Sequence, residues 1–421
     1  MEALELGLRE ALLKDGRRLL GEFLQSLEET LPPVIAQKGQ KRHADRPRQV
    51  ETIFGPVELR RDYLYSAAEH AGRAPLDEAL GLFNASSPGL VRLVSRAAAR
   101  QGYEAASDDL GELAGIHIDG RQIQRLVADS GPRMAAQLKR ESPAPPEPKP
   151  IPILYVEADG TGVPLVGKEL KGRRGKQPDG SAKTREVKLG CVFTQTGTDE
   201  EGEPVRDPDS TSYVGSFETA GDFGQTVCQE ALRRGMARAQ KVVFIGDGAA
   251  WVWELARVNF PQATCILDFY HMLLYLHELA RLLYGNDSAW AQRKKTQWKE
   301  QMQNDQVADV IASMHERAGE LGQLPLEVRE EIQKQIAYLE NNRARMRYGT
   351  FRKQGYFYGS GVVEAGCRAV IGQRLKQSGM FWTRTGAENV IALRCALMGN
   401  RWDECWDQIN NSRQFSHSLA A

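Results

Sequence analysis

Several things are scarce in this 421-residue sequence, and each scarcity narrows the reading. No apolar run is long enough to span a bilayer, so no membrane partner is expected. The N-terminus, MEALELGLREALLKDGRRLL, mixes acids and bases and lacks the apolar core of a signal peptide. The six cysteines (Cys191, Cys228, Cys265, Cys367, Cys395, Cys405) lie far apart and form no C-x-x-C pair. Buried thiols in a reducing compartment are therefore expected, and with them a cytoplasmic location. Net charge is also missing: 55 Lys and Arg balance 55 Asp and Glu. Any nucleic-acid binding has to come from local basic patches. What is present is an ordinary globular composition, 41% hydrophobic and 26% charged, over a length that suits two or three domains.

The first 30 residues read as an amphipathic helix. A basic stretch, KGQKRHADRPRQ, ends at Gln49 and leads into VETIFGPVELRRDYLY, a β-hairpin turning at Gly55-Pro56. The segment ASDDLGELAGIHIDGRQIQRLVADSG (106–131) has the layout of a helix-turn-helix. One short helix ends at Gly115, a turn covers Ile116 to Gly120, and a second helix presents Arg121, Gln122, Gln124 and Arg125. Those side chains suit phosphates and base edges. A plain helical hairpin with its polar residues in water gives the same pattern. SPAPPEPKPIP (142–152) follows, with six prolines in eleven residues, and reads as an extended spacer.

Beyond the spacer the period changes. IPILYVEA (151–158) reads as a strand ending at Asp159, and REVKLGCVFTQT and TSYVGSF as two more. A helix over 222–239 precedes the strand KVVFIG (241–246), and ATCILDF (263–269) supplies the last strand. This order predicts an α/β sheet with an antiparallel start. Residues 272–355 read as almost wholly helical, and two further helices follow from 359 onward.

Two strand ends carry acids. VEADGTG and IGDGAAW invite comparison with haloacid-dehalogenase-like phosphatases, whose chemistry needs an aspartate nucleophile two residues before the acid. Glu157 holds that position here, and Ala250-Trp251 replaces the second acidic pair, so that reading fails twice. In a ribonuclease-H-like sheet, by contrast, the first and fourth strands each end in Asp and a late helix adds an acid. Asp159 and Asp247 fall on those strands. Three converging carboxylates suit Mg²⁺, a hard cation that takes oxygen ligands. Two such ions can activate an attacking hydroxyl and stabilise a departing oxygen in phosphodiester transfer. For the third acid Glu364, set among Val362, Val363 and Ala365, is preferred to Glu388, which stands at capping-box spacing from Thr385. The alternative for Glu364 is a surface pair with Arg368.

These segments resemble bacterial insertion-sequence transposases of the DDE type, the ISKra group, related to Mutator-like elements. The resemblance runs from PLDEALGL (75–82) through the helix-turn-helix, YVEADGTGVPL, VVFIGDGAAWVW, ILDFYHM and SGVVEAGCRAVIGQRLKQSGMFWT to RWDECW. It implies an α/β, ribonuclease-H-like catalytic domain on a mixed sheet with an all-α insertion. It further implies a catalytic and metal-binding triad of Asp159, Asp247 and Glu364, loaded with two Mg²⁺ ions or with Mn²⁺. Asp268 and His271 match a (C/D)-x-x-H signature as auxiliary residues, although Asp268 as a helix cap over a packed His271 explains the spacing equally. The implied partners are double-stranded DNA (terminal inverted repeats and target), and a second copy in a homodimer or higher oligomer. The implied reaction is metal-dependent strand cleavage followed by 3′-hydroxyl strand transfer, in a bacterial cytoplasm and at the nucleoid when on DNA. Relatives carry a cysteine pair before PLDEALGL, but YSAAEHAGRAPLDE has none, so no zinc is expected. A domesticated DNA-binding protein without transposition is the remaining alternative.

The expected domains are a helix and hairpin region (1–85), the helix-turn-helix (86–141), the linker (142–152), the first part of the catalytic domain (153–271), the helical insertion (272–355) and the catalytic C-terminal helices (356–421). Between the first two strands, KELKGRRGKQPDGSAKTREVK holds eight Lys and Arg against three acids. Lys171, Arg173, Arg174 and Lys176 there, with Arg368, Arg374, Lys376 and Arg384 later, are candidate phosphate contacts. Trp290 and Trp298 are spaced either to stack on a base or to form a buried helix stripe.

Overall fold

The computed structural model describes residues 1–30, 35–140, 150–175, 177, 180–286 and 288–418. Most of the proline-rich spacer (141–149) and Lys176 therefore lie outside the described residues. The protein is mixed α/β. It divides into two compact units, one comprising Met1–Leu138, Thr385–Leu397 and Arg401–Ala421, the other Lys139–Arg384 with Met398–Asn400. The segment 356–421 is thus shared between the units. Among the described residues no helix is long and apolar enough to cross a membrane. All six cysteines are free thiols, four of them buried.

In the first unit α1 (Glu2–Thr30) lays Leu20 and Leu24 against Val50, Val57 and Leu59 of a hairpin, β1 (Gln40–Thr52) and β2 (Gly55–Ser66). A short β3 (Ala71–Arg73) completes this sheet. The hairpin turns at Gly55 as expected, where φ is 101° and Thr52 Oγ1 donates to the Gly55 carbonyl at 2.7 Å. Its first strand starts earlier than the sequence suggested, so the basic stretch is itself strand. Arg42–Asp62 and Arg60–Asp45 ion pairs, each 2.6 Å, hold some of its cations across the ladder. Next come α2 (Pro88–Arg100), α3 (Tyr103–Ala114) and α4 (Gly120–Leu138). Gly115, at φ 67°, ends α3 in the left-handed region that glycine adopts without strain. Asp119 and Gln122 open α4 by exchanging backbone-to-side-chain bonds of 2.8 and 3.2 Å. Two late helices, Arg384–Met398 and Trp402–Ser418, contribute to the same unit. A Cβ on Gly131 would lie 2.4 Å from that of Asn389, and Arg401 Nη1 donates to the Leu138 carbonyl at 3.1 Å.

The second unit is built on five strands: β4 (Ile151–Pro164), β5 (Thr184–Gln195), β6 (Ser212–Ser216), β7 (Ala239–Gly246) and β8 (Thr264–Leu267). Their spatial order is β8-β7-β4-β5-β6. The first three in sequence form an antiparallel meander, and β7 and β8 run parallel to β4. One face is covered by α5 (Ala220–Arg233) and α6 (Ala250–Asn259). They bury Phe223, Val227 and Leu255 against Leu154, Val156, Val192 and Phe244. β4 is longer than its apolar run, so Asp159 sits within the strand rather than at its end. The cause is β5, which pairs with β4 out to Pro164, whereas β7 leaves it after Ala158.

A helical run follows: α7 (Phe269–Tyr284), α8 (Ala289–Gln303), α9 (Val307–Glu320), α10 (Leu326–Asn342) and α11 (Tyr348–Lys353). Trp298 is buried there and donates to Ser313 Oγ at 3.2 Å, while Trp290 stands 62% exposed. The stripe reading therefore holds for one tryptophan and not the other. Returning to the sheet, α12 (Gly361–Gly366) widens into a π-helical turn at Cys367–Gly372. Gly366 permits its approach, since a Cβ there would lie 2.6 Å from the Tyr213 ring and 3.0 Å from Leu189.

Candidate active site

The parallel pairing of three neighbouring strands stops at one level, although β4 continues with β5. Ala158 of β4 aligns with Gly246 of β7, and Gly246 aligns with Leu267 of β8. The next residue on each strand is an aspartate: Asp159, Asp247 and Asp268. Parallel strands bring their C-terminal ends to one rim, which is where sites in such sheets form.

The three are held differently. Asp159 is half-buried, and burial lifts its carboxyl above the ordinary range. The Gly160 N–H and the Cys367 thiol, both hydrogen-bonded to it, oppose that rise; Asp247 adds to it and His271 opposes it. Asp247 and His271 thus both act electrostatically on Asp159, in opposite senses. Asp247 accepts the Ala249 N–H at 2.9 Å through Oδ1, which orients its side chain. Its backbone carbonyl accepts Tyr338 Oη at 2.6 Å from α10. The Tyr338 ring lies flat on Tyr275 of α7 at 3.8 Å and 8°, and Tyr275 meets the His271 ring edgewise at 5.6 Å. Burial, Tyr275 and Asp247 all push the Tyr338 hydroxyl upward, so it remains a donor.

Asp268 is wholly buried and is bound from two sides. It caps α7 by accepting the His271 N–H, and it also accepts the Ser360 N–H. The capping explanation of Asp268 is therefore realised together with a second bond. His271 is half-exposed, facing the Asp159 side of the rim.

Glu364 is exposed on α12 and its Oε1 accepts Ser360 Oγ at 3.2 Å. Cys367, three residues on, donates its thiol to Asp159 and is pushed up by burial, then by that carboxylate, with Glu364 adding to the effect. Glu364 also raises Glu157. The third acid thus lies within electrostatic reach of the residues around Asp159. Among the described residues, however, no three His, Cys, Asp or Glu side chains are gathered into a ready set of metal ligands. Asp159 and Asp247 fit a hard divalent cation by donor chemistry and by the repulsion it would relieve.

The basic candidates divide. Lys171, Arg173 and Arg174 are exposed on the β4–β5 connection, and Arg368 is exposed on the π-helical turn. Lys376 donates to Thr161 Oγ1 at 2.5 Å, two residues along β4 from Asp159. Arg374 is corrected by the structure: it is fully buried, its guanidinium 5.0 Å from the Trp382 ring, and so it serves packing and not DNA. Arg384 is half-exposed at the start of its helix. In the first unit Arg121, Gln122, Gln124 and Arg125 are all exposed on α4, while Ile123 and Leu126 turn inward. Gln122 is engaged in capping the helix. Gln122 and Arg125 also line a groove of about 440 Å³ with Arg17, Asn84 and His117.

The model of an uncharacterised protein family, UPF0236, matches residues 1–406. The chain belongs to that family. A "UPF0236 protein in vanSb 3'region" from Streptococcus gallolyticus is 26% identical over 416 residues, covering 95% of this chain and 83% of that protein. Among solved structures, the "Drosophila P element transposase strand transfer complex" matches at 10% identity and a TM-score of 0.27, over 74% of this chain and 79% of that one. A score so low says nothing about fold or function.

Sequence reading missed Glu157, Tyr338, Tyr275 and Cys367 in this UPF0236 chain. Only Glu157 left a trace, as a lone acid inside the apolar run ILYVEA. It is fully buried, and burial pushes its carboxyl up to about 8.

Proposed function

We propose that this UPF0236 protein is a DNA transposase of the DDE type, with a ribonuclease-H-like catalytic unit and a helix-turn-helix that recognises the element's ends. The observation that carries the reading is the row of acids where the parallel pairing ends: Asp159 and Asp247 follow the paired residues Ala158 and Gly246 on adjacent parallel strands, and Asp247 raises the Asp159 carboxyl. The strand order and the antiparallel start agree with a ribonuclease-H-like sheet. Asp159 and Asp247 would hold divalent cations, Mg²⁺ or Mn²⁺, with Glu364 as the third ligand from α12. Such ions supply charge neutralisation and an activated hydroxyl for phosphodiester cleavage and 3′-hydroxyl transfer.

The chain's own residues have separable tasks in this scheme. Tyr338 and the Ala249 N–H orient Asp247; the Cys367 thiol and the Gly160 N–H orient Asp159. His271 offers a donor beside the carboxylates, and Lys376, Lys171, Arg173 and Arg174 would position backbone phosphates of double-stranded DNA. A second copy would bring the other element end. Phosphatase chemistry is disfavoured because Glu157, in the nucleophile's place, is fully buried.

The test is strand cleavage and transfer on the element's own end sequences with Mg²⁺, comparing wild type with Asp247→Asn. The expected result is loss of both activities at unchanged DNA affinity. Cleavage by the Asn variant at the wild-type rate refutes the carboxylate assignment; end binding without cleavage by the wild type would instead favour a domesticated DNA-binding protein.

A further inference from the structure

The stretch leading to Glu364 has no regular structure over residues 356–360, yet it is held at nearly every step. The Gly355 carbonyl accepts Gln195 Nε2 at 3.0 Å, and the Phe357 N–H donates to Tyr155 Oη at 3.1 Å. The Tyr358 carbonyl accepts the Phe269 N–H at 2.9 Å. The Ser360 N–H goes to Asp268, and the Val363 N–H to Glu157 Oε2 at 2.8 Å. Gln195, Tyr155, Asp268 and Glu157 are all buried, and Tyr155 Oη in turn donates to Gln195 Oε1 at 2.6 Å. Side chains of the sheet and the head of α7 thus serve the stretch as a neighbouring strand would, although no strand forms.

Glu157 is the costliest member of this set. Its Oε2 also accepts the Cys191 thiol at 3.6 Å, while its Oε1 is buried with no partner among the described residues. A buried acid with one oxygen unsatisfied opposes folding, and an apolar side chain would suit the site better by packing alone. Among the described residues, the backbone group it engages outside the sheet is the N–H of the residue immediately before Glu364.

We propose that Glu157 is a positioning residue: by accepting the Val363 N–H it fixes the first turn of α12 and so sets where Glu364 stands. Asp268 acts with it three residues earlier, through Ser360, whose hydroxyl then meets the Glu364 carboxylate. This inference rests on reading Asp159, Asp247 and Glu364 as the catalytic carboxylates. It adds that the third of them is placed from beneath by acids that never touch DNA. The Oε2 lone pairs are the working part of Glu157, so a neutral acceptor of the same shape should serve.

The experiment compares full-length Glu157→Leu, Glu157→Gln and wild type by hydrogen exchange of the amides at 360–366, in the absence of metal and DNA. The same proteins are then assayed for end-DNA affinity and for cleavage with Mg²⁺. The Leu variant should exchange Val363 and its neighbours at least ~10-fold faster, with β4 and β5 protection unchanged. Its cleavage should fall roughly 10–100-fold at unchanged DNA affinity, as a misplaced catalytic group predicts. Gln should restore both readings to within a few fold of wild type. Wild-type exchange in the Leu variant overturns the proposal, as does a Gln variant that keeps Val363 protected yet cleaves as poorly as Leu. Should Leu not fold, Val363→Pro removes the donor with Glu157 in place, in a first helical turn where proline is tolerated. Wild-type cleavage by that variant overturns the proposal equally. If the wild type itself does not cleave, the transposase reading fails, and the exchange data still decide whether Glu157 holds α12.

Discussion

Replacing Gly248 by alanine probes the support under Asp247. Gly248 has φ 95°, and a Cβ added there would lie 2.2 Å from Tyr338 Oη and 2.7 Å from two carbons of its ring. The ring has little room to retreat, because Tyr275 lies against its other face at 3.8 Å. Three costs follow. Holding alanine at positive φ costs about 1–2 kcal/mol. Forcing a methyl into the packed tyrosine pair costs about 1–3 kcal/mol. Losing the Tyr338 bond to the Asp247 carbonyl costs about 0.5–1.5 kcal/mol. The sum, roughly 2.5–6.5 kcal/mol, is a large part of the 5–15 kcal/mol typical of a folded domain. Because the chain has two units, the measurement is segment-resolved hydrogen exchange in denaturant, reading the second unit's own transition. Tyr338→Ala removes the obstructing ring, so the double variant should be less destabilised than the sum of the singles by about 1–3 kcal/mol. A Gly248→Ala protein that opens at the wild-type denaturant concentration, or two effects that simply add, would show that the tyrosine pair does not brace Asp247.

Two other expectations follow from groups already described. Glu157 keeps its proton up to about pH 8 in the fold but has an ordinary value of 4.5 when unfolded. Between those values the unfolded chain has lost a proton that the folded chain keeps, so its contribution to stability falls as pH rises through that window and levels off above it. Unfolding measured with divalent ions removed should therefore show Glu157→Gln gaining on wild type as pH rises from 5 towards 8; a constant difference contradicts the buried neutral acid. Arg121→Ala and Arg125→Ala should each weaken end-DNA binding and, where the contact is to phosphate, lower the salt slope by roughly one. Unchanged affinity at every salt concentration would leave α4 an ordinary helix.

Much of the fold was legible from period and punctuation. The hairpin at Gly55-Pro56, the break at Gly115 and the five strands of the second unit follow from alternation, glycine placement and apolar runs. Strand lengths were not legible. β4 outruns its apolar stretch because β5 keeps pairing with it, a partner choice that local composition does not encode. The site divided in the same way. Asp159 and Asp247 could be found because each follows an apolar run, whereas Tyr338 reaches Asp247 from 91 residues away on α10. Arg374 and Lys376 look alike in sequence, yet Arg374 faces the Trp382 ring and Lys376 reaches Thr161. Only tertiary packing separates them.

The first unit closes with residues from both ends of the chain, since Asn389 fills the space over Gly131 and Arg401 binds the Leu138 carbonyl. Those late residues are synthesised after the whole of the second unit's sheet. The second unit's five strands and Glu364 are all made by then, so its sheet can form while the first unit still waits for its late helices. A chain cut short after residue 384 would keep every candidate catalytic carboxylate and leave the first unit incomplete. Translation order would then set a sequence of folding, with the sheet that carries Asp159 and Asp247 formed before the first unit is complete.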